Sequence, residues 1–276
     1  MKKKLIVLTL IMAMVLSIAF TVNAALSSNW TALETWDVDS FGKSEGVITA
    51  DTAINLALPA ADAWWKQAGV AFNNAVDVNN LTVEFTTDAA GDASPNGYFA
   101  VILSKSKPTA WGLPLNRCYS PDVLASEQLF VSTYGSTATQ NIWVDGIATN
   151  DFKNASITSG ADSTISFEVE GNNVKILVNG EYLIDSETNE VVSYDCSNVM
   201  VDGKAYLTVA ALGYGGSVRE MSTVKKINGF DANTWNGQEF GSSSEVTSSE
   251  VTSSEAASSE AASSEAASSE AASSEA

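Results

Sequence analysis

Hydrophobic and polar residues alternate with a period of two along much of the chain, most clearly over 163–185, STISFEVEGNNVKILVNGEYLID. Ile165, Phe167 and Val169 alternate with Ser166, Glu168 and Glu170, and after Gly171-Asn172-Asn173 the pattern resumes in Val174, Ile176 and Val178. Alternation of this kind, rich in β-branched residues, predicts half-buried strands. Asn179-Gly180 accepts the positive φ values of a two-residue type I′ turn, so the stretch predicts three antiparallel strands in a meander. Across that turn Val178 opposes Glu181. This puts Ile176, Val178 and Leu183 on one face, the core, and Lys175, Leu177, Tyr182 and Ile184 on the other. The second set is too apolar for a plain solvated face; it predicts a surface roofed by a loop or the floor of a groove.

The same pattern marks strands at 29–39, 46–49, 54–58, 68–72, 81–87, 98–103, 128–134, 141–144, 205–212 and 220–230. Pro59 stops one of them, and 59–66 reads as a loop or short helical turn. There Trp64 and Trp65 are adjacent and cannot both be core on an extended segment. The Asp, Gly, Pro and Asn residues of 88–97 predict a loop, and 105–121 predicts a longer one. About a dozen short strands with no amphipathic helix give an all-β chain. The expected architecture is a two-sheet antiparallel β-sandwich of the jelly-roll kind.

Composition separates the two ends from this body. Lys2, Lys3 and Lys4, an apolar run over 5–20 and Thr21-Val22-Asn23-Ala24 describe a secretory signal peptide, 1–24, cut after Ala24. The run is shorter than the roughly 20 residues of a membrane span, so a secreted, extracellular protein with no membrane attachment is expected after cleavage. The β domain occupies 26–241. Residues 242–276 repeat Val-Thr-Ser-Ser-Glu and then Ala-Ala-Ser-Ser-Glu, a low-complexity linker or stalk expected to be disordered because it has almost no apolar bulk to bury.

The formal net charge of −19 excludes nucleic acid as a partner, since phosphate binding needs concentrated Lys and Arg. A monomer is expected. The chain contains no His, which removes zinc hydrolase sites, Ser-His-Asp triads and Cys-His dyads in their usual forms. Cys118 and Cys196 are the two cysteines, and in an exported chain they form either one disulfide or two buried thiols.

The run 165–185, with 204–209 (KAYLTV) and 223–229 (TVKKING), resembles the concanavalin A-like lectin/glucanase superfamily, and within it the laminin-G-like modules of secreted bacterial proteins. That resemblance implies a concanavalin A-like jelly roll, a scaffold that carries lectins, glycosidases, adhesion modules and spacers. Glucanases of the superfamily carry Glu-x-Asp-x-x-Glu on one strand, and no such strand is present here. The nearest string, 185–190, begins with Asp and sits in a polar turn. Glu168 and Glu170 share a strand face, as a hydrolytic pair would, but alternating carboxylates are also what a solvated face looks like. Binding without cleavage needs aromatic faces and polar groups. Trp64, Trp65, Trp111, Tyr119, Trp143 and Tyr182 are the ligand-binding candidates. Asp88, Asp92, Asn96 and Asp145 offer hard oxygen ligands for calcium. The reading that follows is a secreted, non-catalytic module binding a polysaccharide or cell-surface glycan. A glycoside hydrolase acting on β-glucan and a structural or adhesion spacer are the alternatives.

Overall fold

The computed structural model describes residues 25–35, 43–58, 65–90, 97–111, 122–134, 138–146, 152, 155–214 and 219–239. The chain divides into two compact units, Met1–Ser242 and Ser243–Ala276, and every described residue belongs to the first. The expected signal peptide and stalk lie outside the described residues.

The strands in chain order begin with β1 (Trp30–Ala32), β2 (Glu34–Thr35), β3 (Lys43–Glu45), β4 (Val47–Ala50) and β5 (Ile54–Leu58). Then come β6 (Trp65–Asp77), β7 (Thr82–Ala90), β8 (Gly97–Ser104), β9 (Ala110–Trp111), β10 (Gln128–Tyr134) and β11 (Thr139–Gly146). The rest are β12 (Ser156–Thr158), β13 (Ser163–Glu170), β14 (Asn173–Val178), β15 (Glu181–Tyr182), β16 (Ser193–Asp195), β17 (Lys204–Tyr214), β18 (Arg219–Ile227) and β19 (Phe230–Asp231).

They form a sandwich of two sheets. The first has the order β1-β6-β17-β8-β10-β11-β12, with β3 added to β6; the second has the order β15-β14-β13-β7-β18-β5-β4, with β16 on β14 and β19 on β18. Every pairing in the two sheets is antiparallel except β3 with β6. The inner faces meet in one core, where Phe85 of β7 and Phe99 of β8 stack across the sheets with ring centroids 4.4 Å apart.

The opening meander folds as its sequence predicts. Ile165, Phe167 and Val169 face Val178, Ile176 and Val174 in register, and Asn179 (φ 51°) and Gly180 (φ 83°) make the turn into β15. Ile176, Val178 and Leu183 are buried, as the core-face assignment requires.

Elsewhere the pattern underestimates the strands. β6 starts at Trp65 rather than at residue 68 and runs on to Asp77, because β17 pairs with it from Tyr214 back to Lys204, through a bulge at Tyr206/Thr208. β7 continues through Asp88 to Ala90, inside the expected loop, because β18 lies beside it to Arg219. The expected strand 220–230 is a hairpin instead: Asn228 (φ 53°) and Gly229 (φ 82°) turn β18 into β19. Trp111, expected in a loop, belongs to the short parallel pair β2–β9. β12 and β16 carry too little alternation to be seen in sequence.

Candidate functional site

The outer face of the first sheet is built from three register rows. The middle row runs Gly69–Ala210–Ala100–Ser132–Trp143 across β6, β17, β8, β10 and β11. On one side lies Ala71–Thr208–Ile102–Phe130–Asp145, and on the other the register continues Gln67–Leu212–Tyr98–Tyr134–Asn141–Ser156. Leu33, Ala71, Ala100, Ile102, Phe130, Ala210 and Leu212 of this face form a second buried apolar cluster. These strands are apolar on both sides, as strands covered on both faces are. The middle of the face is therefore not an open binding surface.

It opens at one edge. β12 pairs with β11 only over Thr139–Asn141, so Trp143 stands past the end of its neighbour. Trp143 is 38% exposed, whereas Trp30 and Trp235 are buried. Asn141 and Asp145 lie on the same side of its strand, two residues away in each direction. Asn141 and Ser156, opposite each other, are exposed. Ser132, in register with Trp143, is buried and donates to the Trp143 carbonyl at 3.5 Å. The result is an indole face flanked by an exposed amide and an exposed hydroxyl, with the Asp145 carboxylate buried beside them. Asn141 and Ser156 were missed in the sequence, although the alternation Asn141, Trp143, Asp145 against Ile142, Val144 could have located the first.

Of the remaining binding candidates, one has a described side chain, and it lies elsewhere. Tyr182 is on the outer face of the second sheet, where Leu177 pairs with it. Trp65 and Trp111 occupy strand positions in β6 and β9, while Trp64 and Tyr119 lie outside the described residues. Of the calcium candidates, the two described ones lie on different sheets. Asp88 pairs with Met221 on the outer side of the second sheet, whereas Asp145, 7% exposed, pairs with Phe130 on the outer side of the first. Asp92 and Asn96 lie outside the described residues. No group of three or more His, Cys, Asp or Glu among the described residues could hold a metal ion.

The hydrolytic pair fares poorly on geometry. Tyr182 donates its hydroxyl to Glu168, and Lys175 reaches Glu168 at 3.7 Å and Glu170 at 2.8 Å. The space between the carboxylates, where a glycosidic oxygen would have to enter, thus holds an ammonium group. The hydrogen bond to Glu170 raises the Lys175 pKa, and that to Glu168 raises the Tyr182 pKa. The string 185–190 is a turn: Asp185 accepts from the backbone of Glu187 at 2.9 Å and of Thr188 at 2.8 Å.

Cys196 is a free, buried thiol, and Cys118 lies outside the described residues. Burial pushes the Cys196 thiol up to about 12 from its ordinary 9.0, and burial also raises neighbouring Tyr194. A raised acid of this kind contributes stability that is intact below the ordinary pKa and is lost as pH climbs through the folded one. The urea midpoint of the wild type should therefore fall between pH 9 and about 12, and Cys196→Ala should flatten that fall. At mildly alkaline pH the native Cys196 should resist alkylation until urea is added. Labelling of the native thiol, read by peptide mass, would refute its burial.

No protein-family model matches the chain, and no curated protein matches it. Solved structures similar to it include a legume lectin-like domain from Entamoeba histolytica, at 15% identity and a TM-score of 0.45, covering 71% of this chain and 88% of that one. The β-glucanase of Bacillus licheniformis is similar at 10% identity and a TM-score of 0.48, over 74% of this chain and 94% of that one. The LamAcat structure from Zobellia galactanivorans matches at 10% identity and a TM-score of 0.46, over 70% and 88%.

Proposed function

We propose that this chain is an exported, non-catalytic module whose β-sandwich binds a neutral polysaccharide or cell-surface glycan at the β11 edge. The observation that carries the reading is Trp143: a large indole left on the surface of a sheet, at the point where the neighbouring strand stops. Core packing does not account for an exposed tryptophan, and the exposed Asn141 amide and Ser156 hydroxyl supply what sugar hydroxyls need while the ring takes a sugar C–H face. The occupied gap between Glu168 and Glu170 favours binding over cleavage.

Affinity electrophoresis through gels containing single polysaccharides tests this. The wild type should be retarded by at least one neutral glycan. Trp143→Ala should weaken that binding about tenfold, the size expected when an aromatic contact worth roughly 1.4 kcal/mol is removed. Equal retardation of both proteins would sink the proposal. Release of reducing sugar from β-glucan, abolished by Glu168→Gln, would replace it with a hydrolase.

A further inference from the structure

The outer face of the second sheet carries a depression that the Trp143 edge does not use. Its floor is a single register row, Thr82–Ser166–Leu177–Tyr182, across β7, β13, β14 and β15. The row Lys226–Glu84–Thr164 flanks it on one side and Glu168–Lys175 on the other. Successive rows on one face stand about 7 Å apart, so the short Thr82 and Ser166 side chains leave a trough between the Glu84 side and the Glu168 side. It measures about 490 Å³ and is lined by Asn80, Thr82, Ser166, Phe167, Glu168 and Leu177. That lies within the range of small-molecule clefts, roughly 300–1,000 Å³.

The walls are already ordered. The Tyr182 hydroxyl and the Lys175 ammonium together fix the Glu168 carboxylate, and Lys175 also stands 6.0 Å over the Tyr182 ring. Asn80 is held at φ 62° by its backbone hydrogen bond to the Phe167 carbonyl, 2.9 Å. Beside it, Asn79 Oδ1 accepts from the Val169 amide at 3.1 Å. Groups fixed before a ligand arrives bind it with less loss of side-chain freedom.

The chemistry selects the ligand. Lys175 is shared between Glu168 and Glu170 and the chain carries a net −19, which disfavours anions. The charge of Glu168 is balanced in place, which leaves little to draw a cation. What remains is two hydroxyls that donate and accept, an amide, a carboxylate that accepts, and the apolar surface of Leu177. This set suits a neutral, hydroxyl-rich ring with an apolar face. We propose that the trough is a second saccharide site, taking a neutral hexose unit, on the opposite sheet from Trp143, so that one module holds two glycan chains.

The test is a titration of the full-length ¹⁵N-labelled protein with neutral β-glucan and β-mannan tetrasaccharides, read by amide chemical shifts. The amides of Ser166, Glu168 and Leu177 should move in the wild type and move equally in Trp143→Ala. Ser166→Trp, which fills the trough from a half-exposed position, should abolish those shifts and spare those around Trp143. Tyr182→Phe, which removes one of the two groups that fix Glu168, should weaken the site about threefold to tenfold. Shifts confined to the Trp143 edge would overturn the second site alone, and shifts confined to the trough would overturn the Trp143 reading alone. No shift at these amides with any neutral sugar, or equal binding of an oligogalacturonate, would also overturn the second site.

Discussion

Replacing Trp235 by Ala is expected to lower the unfolding free energy by about 3–5 kcal/mol, as deletion of a fully buried aromatic does. Trp235 is 1% exposed although it follows the last strand. Its ring lies 4.5 Å from that of Phe72 in β6 and 6.4 Å from that of Trp30 in β1. Trp30 and Phe72 meet edge to face at 5.2 Å. The indole nitrogens are both satisfied by backbone in this segment, Trp30 on Ala232 at 3.0 Å and Trp235 on Gln238 at 2.8 Å. The substitution thus leaves a cavity that joins the first strand of the domain to the segment after the last one.

The same closure is made by polar groups. Asn233 accepts from the Ser27 amide at 2.8 Å and donates to the Asp51 carbonyl at 2.8 Å. A buried side chain that satisfies backbone from two other segments costs more to remove than its own hydrogen bonds are worth, because those backbone groups are left unpaired. The urea midpoint of Trp235→Ala should fall with the slope unchanged, while Trp143→Ala, at an exposed position, should stay within about 0.5 kcal/mol of the wild type. A loss below about 1 kcal/mol at Trp235 would mean that residues 232–238 are not part of the cooperative unit.

Trp235 also shows what the sequence left unread. It stands among Asn, Thr, Gly and Gln, with no alternation, so nothing local separates it from a surface residue; its burial is set by Trp30 and Phe72, some 160 to 200 positions earlier. The meander over 163–185 is the opposite case. Its alternation, two turns and facing partners all lie within one short stretch, and both its faces were assigned correctly from residues alone. β6 falls between these. Lys66, Gln67 and Gly69 at its start carry no strand propensity, and only the long partner β17 makes them extended. The proposed binding residues divide in the same way. Trp143 and Tyr182 were legible as aromatics out of place, but their assignment to opposite sheets needed the topology.

Gly46→Ala is expected to destabilise the domain by about 1–3 kcal/mol, the usual cost of overpacking, although glycine to alanine in an extended segment is ordinarily neutral or favourable. The reason is the route of the chain. β3 belongs to the first sheet and β4 to the second, and Gly46 is the residue between them, crossing from one layer to the other. Its amide donates to the Gln67 carbonyl at 2.6 Å, which draws the backbone against β6. A Cβ built there meets the Ala68 Cβ at 2.8 Å, the Gln67 carbonyl oxygen at 2.9 Å and Leu58 Cδ2 at 2.9 Å. Only the last of these is on a side chain that can turn away; the other two are fixed to the backbone of β6. Relief must therefore come from moving the crossing itself, which loosens β3, β4 or both. Ala68→Gly removes one of the rigid contacts, so the double variant should lose less stability than the sum of the single ones. Strict additivity in that cycle, or a Gly46→Ala protein as stable as the wild type, would show that the crossing has room to shift and that its glycine is not required by packing.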